Sequence, residues 1–275
     1  YYITDFFASL ALVGPYDKMS LESIKKLEIE DVDIKEEICL SEKQFEIYNE
    51  IINSKESYFL LHGITGSGKT QIYIKLIIEA LNRKKGSIFL VPEISLTTQM
   101  VNGLKKIFGD NISIIHSKMT PAKKKVEWEK IYSGKSKIVI GARSAIFAPV
   151  NNLGYIIMDE EHENTYKQED NARYHTRNVA LKRAMLEDCK VIFGSATPSF
   201  ETYYYAQKGS IKLLELNERY NGATLPEVEV VNLEDEEGYL SKTLLKNMKE
   251  TISKGEQVIL ILNRKSHSVQ VKCHE

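Results

Sequence analysis

The chain has 275 residues, with 37 Lys and Arg against 38 Asp and Glu, so its formal charge is −1 at pH 7. This balance excludes a histone-like polycation, and a hydrophobic fraction of 43% excludes a chain that is mainly disordered. The longest apolar runs fall far short of the roughly 18 residues that cross a membrane, so we expect no membrane segment. Three widely spaced cysteines favour free thiols and a reducing cytoplasm. The first residues lack the order of a signal peptide and are typical of the interior of a longer chain.

Short apolar runs alternate with segments of helical periodicity along the first 220 residues. The runs are rich in Ile, Val, Phe and Tyr and do not alternate in polarity, which is typical of strands buried on both faces. They cover residues 58–61, 88–91, 112–115, 137–140, 155–158 and 191–193. Helices with apolar residues at every third or fourth position are predicted at 71–81, 95–108, 122–132 and 177–186. This order predicts the α/β class, with a parallel sheet covered by helices on both faces.

A domain boundary is predicted near residues 221–226, which include Asn, Gly and Pro. At the other end of the chain, an acidic run within residues 1–40 is typical of a solvated connector. After the boundary the pattern predicts an extended segment at 228–231, a helix at 242–253 and a buried strand at 258–262. These elements would be the beginning of a second α/β unit and not all of one.

Residues 63–70 predict a phosphate-binding loop between the first strand and the first helix. Their spacing is Gly, four residues, Gly, Lys and then Thr, the pattern of loops that hold the phosphates of ATP. Glycines let the backbone N–H groups surround phosphate oxygens, Lys69 would reach the β- and γ-phosphates, and Thr70 would ligate Mg²⁺. A glycine-rich turn that binds nothing is the alternative. The predicted nucleotide-binding residues of the loop are Gly63, Ile64, Thr65, Gly66, Ser67, Gly68, Lys69 and Thr70.

An acidic cluster follows the buried run at residues 155–158. Asp159 is expected to hold Mg²⁺, and Glu160 to orient and polarise the water that attacks the γ-phosphate. With Lys69 these are the predicted catalytic residues, and Thr70 and Asp159 are the predicted Mg²⁺ ligands. Consecutive acids downstream of a phosphate loop indicate hydrolysis of ATP rather than binding alone. The alternative is an acidic strand end that simply faces solvent.

Several further strings stand in the order in which they occur in one family of helicases. From about Leu40 to its last residue, the sequence resembles the PriA (primosomal protein N′) family of bacterial replication restart helicases, in helicase superfamily 2. The matching segments are motif Ia at 91–97, motif Ib at 141–149, the DEEH form of motif II at 159–162, the loop after it with Tyr166, Lys167, Gln168, Tyr174 and His175, and motif III at 194–198.

The resemblance implies a RecA-like P-loop NTPase lobe at residues 41–220 and the beginning of a second RecA-like lobe at 221–275. Residues 1–40 would be a remnant of the family's N-terminal DNA-binding region or a connector. The implied function is that of an ATP-dependent DNA helicase that moves 3′ to 5′ in replication restart and primosome assembly, with ATP and Mg²⁺ as cofactors. The implied partners are single-stranded and forked DNA, and primosome and helicase-loading proteins. Two alternatives stay open: a nucleotide- and DNA-binding remnant without motor activity, and another superfamily 2 translocase of the RecG-like or restriction type.

The resemblance also implies roles for residues outside the ATP-binding motifs. The amide of Gln44 would pair with adenine, with an exposed helical residue as the alternative. Hydroxyls can hold phosphates, and aromatic and basic residues in one loop suit single-stranded DNA. DNA contact or coupling to DNA is implied for Ser95, Thr97, Arg143, Tyr166, Lys167, Tyr174, His175, Ser195 and Thr197. The alternatives are helix capping by the hydroxyls, an ion pair of Arg143 and core packing of the tyrosines.

The last residues depart from the family pattern. Ser266 and His267 replace residues that are usually Gly and Tyr, and Cys273 falls where the family begins its zinc-binding cysteines. Because a closed zinc site takes four ligands, Cys273 is only a candidate first ligand, and zinc is expected only in a full-length protein. The arginine motif of the second lobe is missing as well, so we expect weak hydrolysis from this chain alone.

Overall fold

A computed structural model of the chain describes residues 38–117, 119–170, 173–219, 227–232 and 240–261. The chain divides into two compact units, Tyr1–Ala223 and Thr224–Glu275. The division falls within the predicted linker, while the assignment of the second unit to a second lobe stays a prediction. No helix in the described part of the chain is both long and apolar enough to cross a membrane.

Strands and helices alternate through the first unit. Its strands are β1 (Tyr58–Gly63), β2 (Gly86–Leu90), β3 (Ile112–Ile115), β4 (Ile138–Gly141), β5 (Leu153–Met158), β6 (Lys167–Gln168), β7 (Tyr174–His175), β8 (Lys190–Ser195) and β9 (Lys212–Leu216). Its helices are α1 (Glu42–Asn53), α2 (Lys69–Asn82), α3 (Thr98–Phe108), α4 (Pro121–Tyr132), α5 (Thr176–Glu187) and α6 (Phe200–Gln207). Short 3₁₀ turns lie at Gly109–Asn111, Arg143–Phe147 and Asn164–Tyr166. The second unit contains α7 (Lys242–Ser253).

Seven parallel strands form the central sheet in the order β3, β4, β2, β5, β8, β1, β9. Strands β6 and β7 form a separate antiparallel pair. Successive side chains of the central strands enter two apolar clusters, so that Phe59 and Leu61 lie in one cluster and Leu60 in the other. Helices α1 to α3 contribute to the first cluster and α4 to α6 to the second. The predicted parallel sheet with helices on both faces is therefore confirmed.

Side-chain caps fix the first residue of several helices. Thr97 Oγ1 accepts from the Met100 N–H at 3.2 Å, so α3 begins at Thr98. The predicted start at residue 95 is three residues too early because periodicity does not locate a cap. At α1, Ser41 and Gln44 form a reciprocal capping box.

Five of these helices and strands lie outside the predicted set, namely α1, α6, β6, β7 and β9. Strand β9 pairs with β1 at one edge of the sheet. An edge strand has a neighbouring strand on one side only, and residues 212–216 are accordingly less buried than the central strands. They therefore lack the uniform apolar run that identifies central strands in the sequence.

The prediction of a buried strand at residues 258–262 is wrong for the residues that the structure describes. Residues 258–261 form no strand, and Ile259 and Ile261 are 86% and 89% exposed. An apolar run becomes a buried strand only when other strands and helices cover it. Within residues 227–232 and 240–261, α7 is the only helix and there is no strand to pair with.

Gly141 ends β4 where its backbone passes close to β3. A Cβ at this position would overlap the carbonyl oxygen of Ile115 and lie 2.8 Å from the Cβ of Ala145. The Ile115 carbonyl belongs to a paired strand and cannot move aside as the end of a flexible side chain could. We expect Gly141→Ala to lower the free energy of unfolding by about 1–3 kcal/mol, as overpacking does elsewhere, measured by urea denaturation.

Gly103 provides the matched control for that substitution. It is exposed within α3, and nothing lies within 4 Å of the position that a Cβ would take. Gly103→Ala should raise the free energy of unfolding by about 0.5–1 kcal/mol, because alanine favours the helix. Equal stability of Gly141→Ala and the unchanged chain would contradict the close approach of β3 and β4.

Candidate active site

The phosphate loop, the acidic cluster and motif III lie side by side because they follow three neighbouring strands. Strands β5, β8 and β1 are adjacent in that order and run parallel, so their carboxyl ends reach the same edge of the sheet. Open α/β sheets bind ligands at this edge. The fold therefore brings residues 63–70, 159–162 and 194–198 into one site.

The backbone of the phosphate loop forms a cradle in front of α2. Gly66 and Gly68 adopt φ angles of 80° and 82°, in the left-handed region that favours glycine. Gly68 is the N-cap of α2 and has no side chain to bond the first N–H groups of the helix, which is the kind of helix start that binds anions. At Gly63 an added Cβ would lie 2.9 Å from Ser67 Oγ and crowd the loop. The loop therefore has the backbone shape that phosphate binding requires.

Two polar side chains of the loop are shielded from solvent. Lys69 is 8% exposed, and its Nζ donates to the Gly63 carbonyl at 2.7 Å. Ser67 Oγ is buried and has no hydrogen-bond partner among the described residues. An unsatisfied buried hydroxyl costs about 1–3 kcal/mol, which a phosphate oxygen would offset. The Ile64 N–H donates to the Leu216 carbonyl at 3.2 Å and holds the loop against β9, while Thr65 is exposed at its tip.

Asp159 is fixed by hydrogen bonds from three directions. Its N–H donates to the Leu90 carbonyl at 2.9 Å, and its own carbonyl accepts from Tyr166 Oη at 2.7 Å. Tyr73 Oη donates to Asp159 Oδ1 at 3.2 Å. Burial, followed by the charge of Glu160, raises the pKa of Asp159 to about 6, while Lys69 acts in the opposite direction. The site therefore holds a half-buried carboxylate whose desolvation and like-charged neighbour outweigh the charge of Lys69.

Glu160 has a strained backbone. Its φ is 45°, which is uncommon for a residue with a side chain and costs of order 1–3 kcal/mol. The side chain is 35% exposed at the site, and Oε2 lies 3.6 Å from His162 Nδ1. Such strain concentrates at functional sites, where the surrounding structure holds it in place. Glu160 is thus a carboxylate held at the sheet edge and open to water.

The donor set of the site fits Mg²⁺. Magnesium prefers oxygen ligands and is usually held by one or two carboxylates together with substrate phosphates. Asp159 supplies a carboxylate, and Thr70 supplies an exposed hydroxyl at the start of α2. No group of three or more His, Cys, Asp or Glu that could hold a metal occurs among the described residues. Asp159 and Thr70 would hold a cation here together with the nucleotide phosphates.

Gln44 supports the phosphate loop, which corrects the prediction that its amide pairs with adenine. The residue is completely buried. Its Nε2 donates to the Ser67 carbonyl at 2.9 Å, and its Oε1 accepts from the Ser41 N–H at 2.9 Å. Because both ends of the amide bind the protein and none of it is exposed, a base has no access to it in this structure. Gln44 instead ties the start of α1 to the loop.

Glu161 organises a buried network that the sequence did not predict. Its side chain has no exposed surface and accepts from the Ser199 N–H at 2.6 Å, and from Ser199 Oγ and Thr202 Oγ1 at 3.0 Å each. Arg177 Nη1 lies 3.7 Å from Glu161 Oε2 and donates to both hydroxyls, at 2.7 and 2.9 Å. The network joins the acidic cluster to the starts of α5 and α6.

Residues of motifs Ia and Ib make structural contacts. Thr97 is exposed and caps α3, so the capping alternative is observed, and a phosphate contact stays a prediction. Ser95 is half-buried in the turn before α3, where its N–H donates to the Pro92 carbonyl. Arg143 Nη1 donates to the carbonyls of Thr165 and Lys167, at 3.3 and 2.9 Å. Arg143 therefore supports the loop after motif II.

Within that loop, the structure places Tyr166 in the core, while a role in coupling stays a prediction. Its ring is 1% exposed, its hydroxyl bonds Asp159, and its carbonyl accepts from Thr176 Oγ1 at 2.8 Å. A ring packed in the core cannot stack on a base, so Tyr166 belongs to the core alternative. Lys167 is exposed and pairs with Glu169 at 3.1 Å, a weak contact that DNA phosphates could replace.

Tyr174 and His175 lie on β7, half-buried. The Tyr174 ring packs edge-on against Phe147, with centroids 5.1 Å apart. His175 Nδ1 accepts from the Arg177 N–H at 3.2 Å and caps α5. Burial, followed by the charge of Arg177, lowers the pKa of His175, which favours the neutral ring. Both residues are anchored by the protein on one side, and contact with DNA stays a prediction.

Motif III is connected to motif II by Ser195. Ser195 is completely buried, its Oγ lies 2.7 Å from His162 Nδ1, and it accepts from the Thr197 N–H at 3.0 Å. Ser195 can therefore couple the two motifs but cannot touch DNA itself in this structure. Thr197 is exposed. The expectations for residues 1–37 and 263–267, and for Cys273, concern parts of the chain that lie outside the described residues.

Comparison with known proteins identifies relatives of the chain among helicases. A model of the DEAD/DEAH box helicase family matches residues 41–204. The chain is 48% identical over 237 residues to replication restart protein PriA of Bacillus subtilis (84% of this chain, 29% of that protein). It is 40% identical over 247 residues to replication restart protein PriA of Haemophilus influenzae (89% and 34%). The resemblance to the PriA family is confirmed, although the chain spans only about a third of the length of these relatives.

A solved structure gives independent support for the fold. RecG bound to a three-way DNA junction superposes with a TM-score of 0.51 at 19% identity, covering 92% of this chain and 34% of RecG. At this identity the likeness concerns the fold alone, and it agrees with a RecA-like lobe. From the family match over residues 41–204 and the phosphate loop and acidic cluster within it, we conclude that the chain belongs to the DEAD/DEAH box helicase family.

Proposed function

We propose that this chain carries the ATP-hydrolysing site of a DNA helicase. The observation that supports this most directly is that two features meet at one sheet edge. One is a phosphate loop with a buried hydroxyl, Ser67 Oγ, that has no hydrogen-bond partner among the described residues. The other is the carboxylate of Glu160, which has a strained backbone and is accessible to water. A hydrolase needs both parts, because one holds the phosphates and the other activates water. A site that only bound nucleotide would have no use for a strained acid beside the loop.

In this proposal each residue of the site has one task. Lys69 leaves the Gly63 carbonyl and binds the β- and γ-phosphates, while the loop backbone surrounds them. Asp159 and Thr70 would hold Mg²⁺, which would supply positive charge beside the phosphates. Glu160 orients the attacking water and accepts its proton. The Arg143 and Ser195 contacts place the loop after motif II and motif III around this centre.

DNA is proposed to lie along the same sheet edge. The exposed residues Thr97, Lys167 and Thr197 would contact phosphates, and Tyr174 and His175 would border the strand. Because the contacts are to phosphates, affinity for single-stranded DNA should fall as salt rises. Arg143, Tyr166 and Ser195 would relay DNA binding to the acidic cluster through the hydrogen bonds described above, without touching DNA.

The larger process is proposed from the relatives. The two relatives above are named replication restart protein PriA, which supports a role in restarting replication. We propose movement from 3′ to 5′, recognition of forked DNA, and work with primosome and helicase-loading proteins in the cytoplasm. Cys273 would supply a zinc ligand only within a longer protein.

The test is ATP hydrolysis with and without forked DNA, measured on this chain and on the longest polypeptide that its reading frame encodes. We expect DNA to stimulate hydrolysis by the longer protein. Lys69→Ala should remove the stimulated activity and weaken binding of a fluorescent ATP analogue by about 10-fold or more, because a charge-assisted hydrogen bond contributes about 1.5–3 kcal/mol. Lys75→Ala is the matched control: Lys75 lies on the same helix, among the described residues it bonds the Ile38 carbonyl, and the variant should bind the analogue normally.

Two other outcomes would point to the alternatives. If the analogue binds in a way that depends on Lys69, but ATP hydrolysis stays at the background rate when DNA is added, the chain is a nucleotide-binding remnant. DNA-stimulated hydrolysis of ATP without separation of forked strands would favour a translocase of another superfamily 2 type. Equal binding by Lys69→Ala and the unchanged protein would contradict the nucleotide site itself.

A further inference from the structure

Tyr73 contacts Asp159 of the acidic cluster, and the sequence predicted no role for it. It lies in α2, one helical turn after Lys69, and is completely buried. Its hydroxyl donates to Asp159 Oδ1 at 3.2 Å. The ring packs against Phe89 of β2 with centroids 5.6 Å apart. The hydroxyl is thus held against the carboxylate by the core on its other sides.

Gly194 of β8 provides the space for this contact. A Cβ on Gly194 would overlap Tyr73 Oη, lie 2.8 Å from Tyr73 Cζ and lie 3.5 Å from Asp159 Oδ1. Any side chain at this position would displace the tyrosine from the carboxylate. The hydrogen bond between Tyr73 of α2 and Asp159, directly after β5, therefore needs glycine at residue 194 of β8.

The main chain of Asp159 is already fixed from two sides, by the Leu90 carbonyl and by Tyr166 Oη. What the main chain leaves free is rotation of the carboxylate about its side-chain bonds. The Tyr73 hydroxyl restrains this rotation, because a phenol can donate only one hydrogen bond and the buried ring has no other acceptor to turn to among its described contacts.

We propose that Tyr73 is a positioning residue that holds the Asp159 carboxylate in the orientation needed to bind Mg²⁺ together with the nucleotide, and that Gly194 is present to allow it. This inference rests on the proposed function of the site. Hydrogen bonds to a metal-binding carboxylate orient it, and their loss typically costs about 10- to 100-fold in metal affinity. A tyrosine that only stabilised the core would not change metal affinity.

The experiment uses Tyr73→Phe, which removes one oxygen atom and keeps the ring. Protein saturated with a non-hydrolysable ATP analogue is titrated with Mn²⁺, a paramagnetic substitute for Mg²⁺, and free Mn²⁺ is followed by electron paramagnetic resonance. We expect Tyr73→Phe to weaken Mn²⁺ binding by about 10-fold. The affinity for the analogue in the presence of a chelator should stay unchanged, because the phosphate loop is intact.

Tyr48→Phe is the matched control. Tyr48 is also a buried tyrosine that donates to a carboxylate, Glu79 Oε2 at 3.3 Å, and it lies on α1 away from the acidic cluster. This variant should bind Mn²⁺ as the unchanged protein does while losing similar stability. Gly194→Ala serves as a second variant that retains the hydroxyl but displaces it, and it should also weaken Mn²⁺ binding.

The outcomes separate this inference from the proposed function. Unchanged Mn²⁺ affinity in Tyr73→Phe would overturn the positioning role while leaving the nucleotide site in place. If Tyr73→Phe does not fold, unchanged Mn²⁺ affinity in Gly194→Ala would have the same meaning. Equal weakening in Tyr73→Phe and Tyr48→Phe would likewise overturn it and assign Tyr73 to stability. If the unchanged protein binds no analogue and no Mn²⁺, the proposed function fails and this inference fails with it.

Discussion

Replacing Glu160 by glutamine is expected to lower DNA-stimulated ATP hydrolysis by about 100- to 10,000-fold, the contribution of a positioned general base. The amide has the same size as the carboxylate but cannot accept the proton of the attacking water. Glu160 is not part of the phosphate loop, so binding of an ATP analogue should stay close to that of the unchanged protein. Hydrolysis is measured on the longest polypeptide of the reading frame, and binding on the same preparation.

Glu163→Gln is the control for this substitution, since it removes a carboxylate three residues further along the chain and outside the acidic cluster. We expect hydrolysis near the normal rate in that variant. A Glu160→Gln protein that hydrolyses ATP normally would contradict the assignment of water activation to Glu160. Loss of analogue binding in Glu160→Gln would instead mean that the strained backbone at this residue is needed to shape the loop.

The second large effect concerns stability. Arg177→Met is expected to lower the free energy of unfolding by about 3–5 kcal/mol, the usual cost of leaving one partner of a buried ion pair alone. Glu161 has no exposed side-chain surface, and the hydroxyls of Ser199 and Thr202 that would remain beside it are neutral donors. Urea denaturation followed by circular dichroism measures the change.

Two further variants interpret that result. Lys125→Met removes an exposed pair with Glu129, 3.9 Å long, and should change stability by less than about 1 kcal/mol. Adding Glu161→Gln to Arg177→Met should recover part of the loss, because a neutral amide needs no counter-charge yet still accepts from Ser199. An Arg177→Met protein as stable as the unchanged chain would mean that the hydroxyls alone satisfy Glu161.

The central sheet could be predicted because its inner strands are uniformly apolar and its helices periodic. Strand β9 escaped prediction because an edge strand is only partly buried, and its five residues carry Lys212 and Glu215. Helix α1 could have been found from Ser41 followed by Gln44, which is the capping-box signature. The strand expected at 258–262 shows the opposite error, since an apolar run alone does not supply the neighbours that a strand requires.

The site was predicted as far as spacing within a motif allows. Lys69 and Asp159 follow from patterns local to one loop and one strand end, and the sheet places these two segments together. The burial of Gln44 and Tyr166 could not be predicted from the sequence, because it depends on segments that are distant in the chain. The Tyr73 contact joins residues 86 positions apart, and only the packing of α2 against β5 and β8 creates it.

A ribosome makes the phosphate loop long before it makes the strands on either side of β1. Strand β1 ends at Gly63, whereas its neighbours β8 and β9 end at Ser195 and Leu216. At about 5–20 residues per second, the loop waits roughly 8–30 s for its last neighbour. During that time Ile64 has no Leu216 carbonyl to bond. A nascent chain that stops before residue 216 therefore lacks the hydrogen bond that holds the phosphate loop against β9 in the finished lobe.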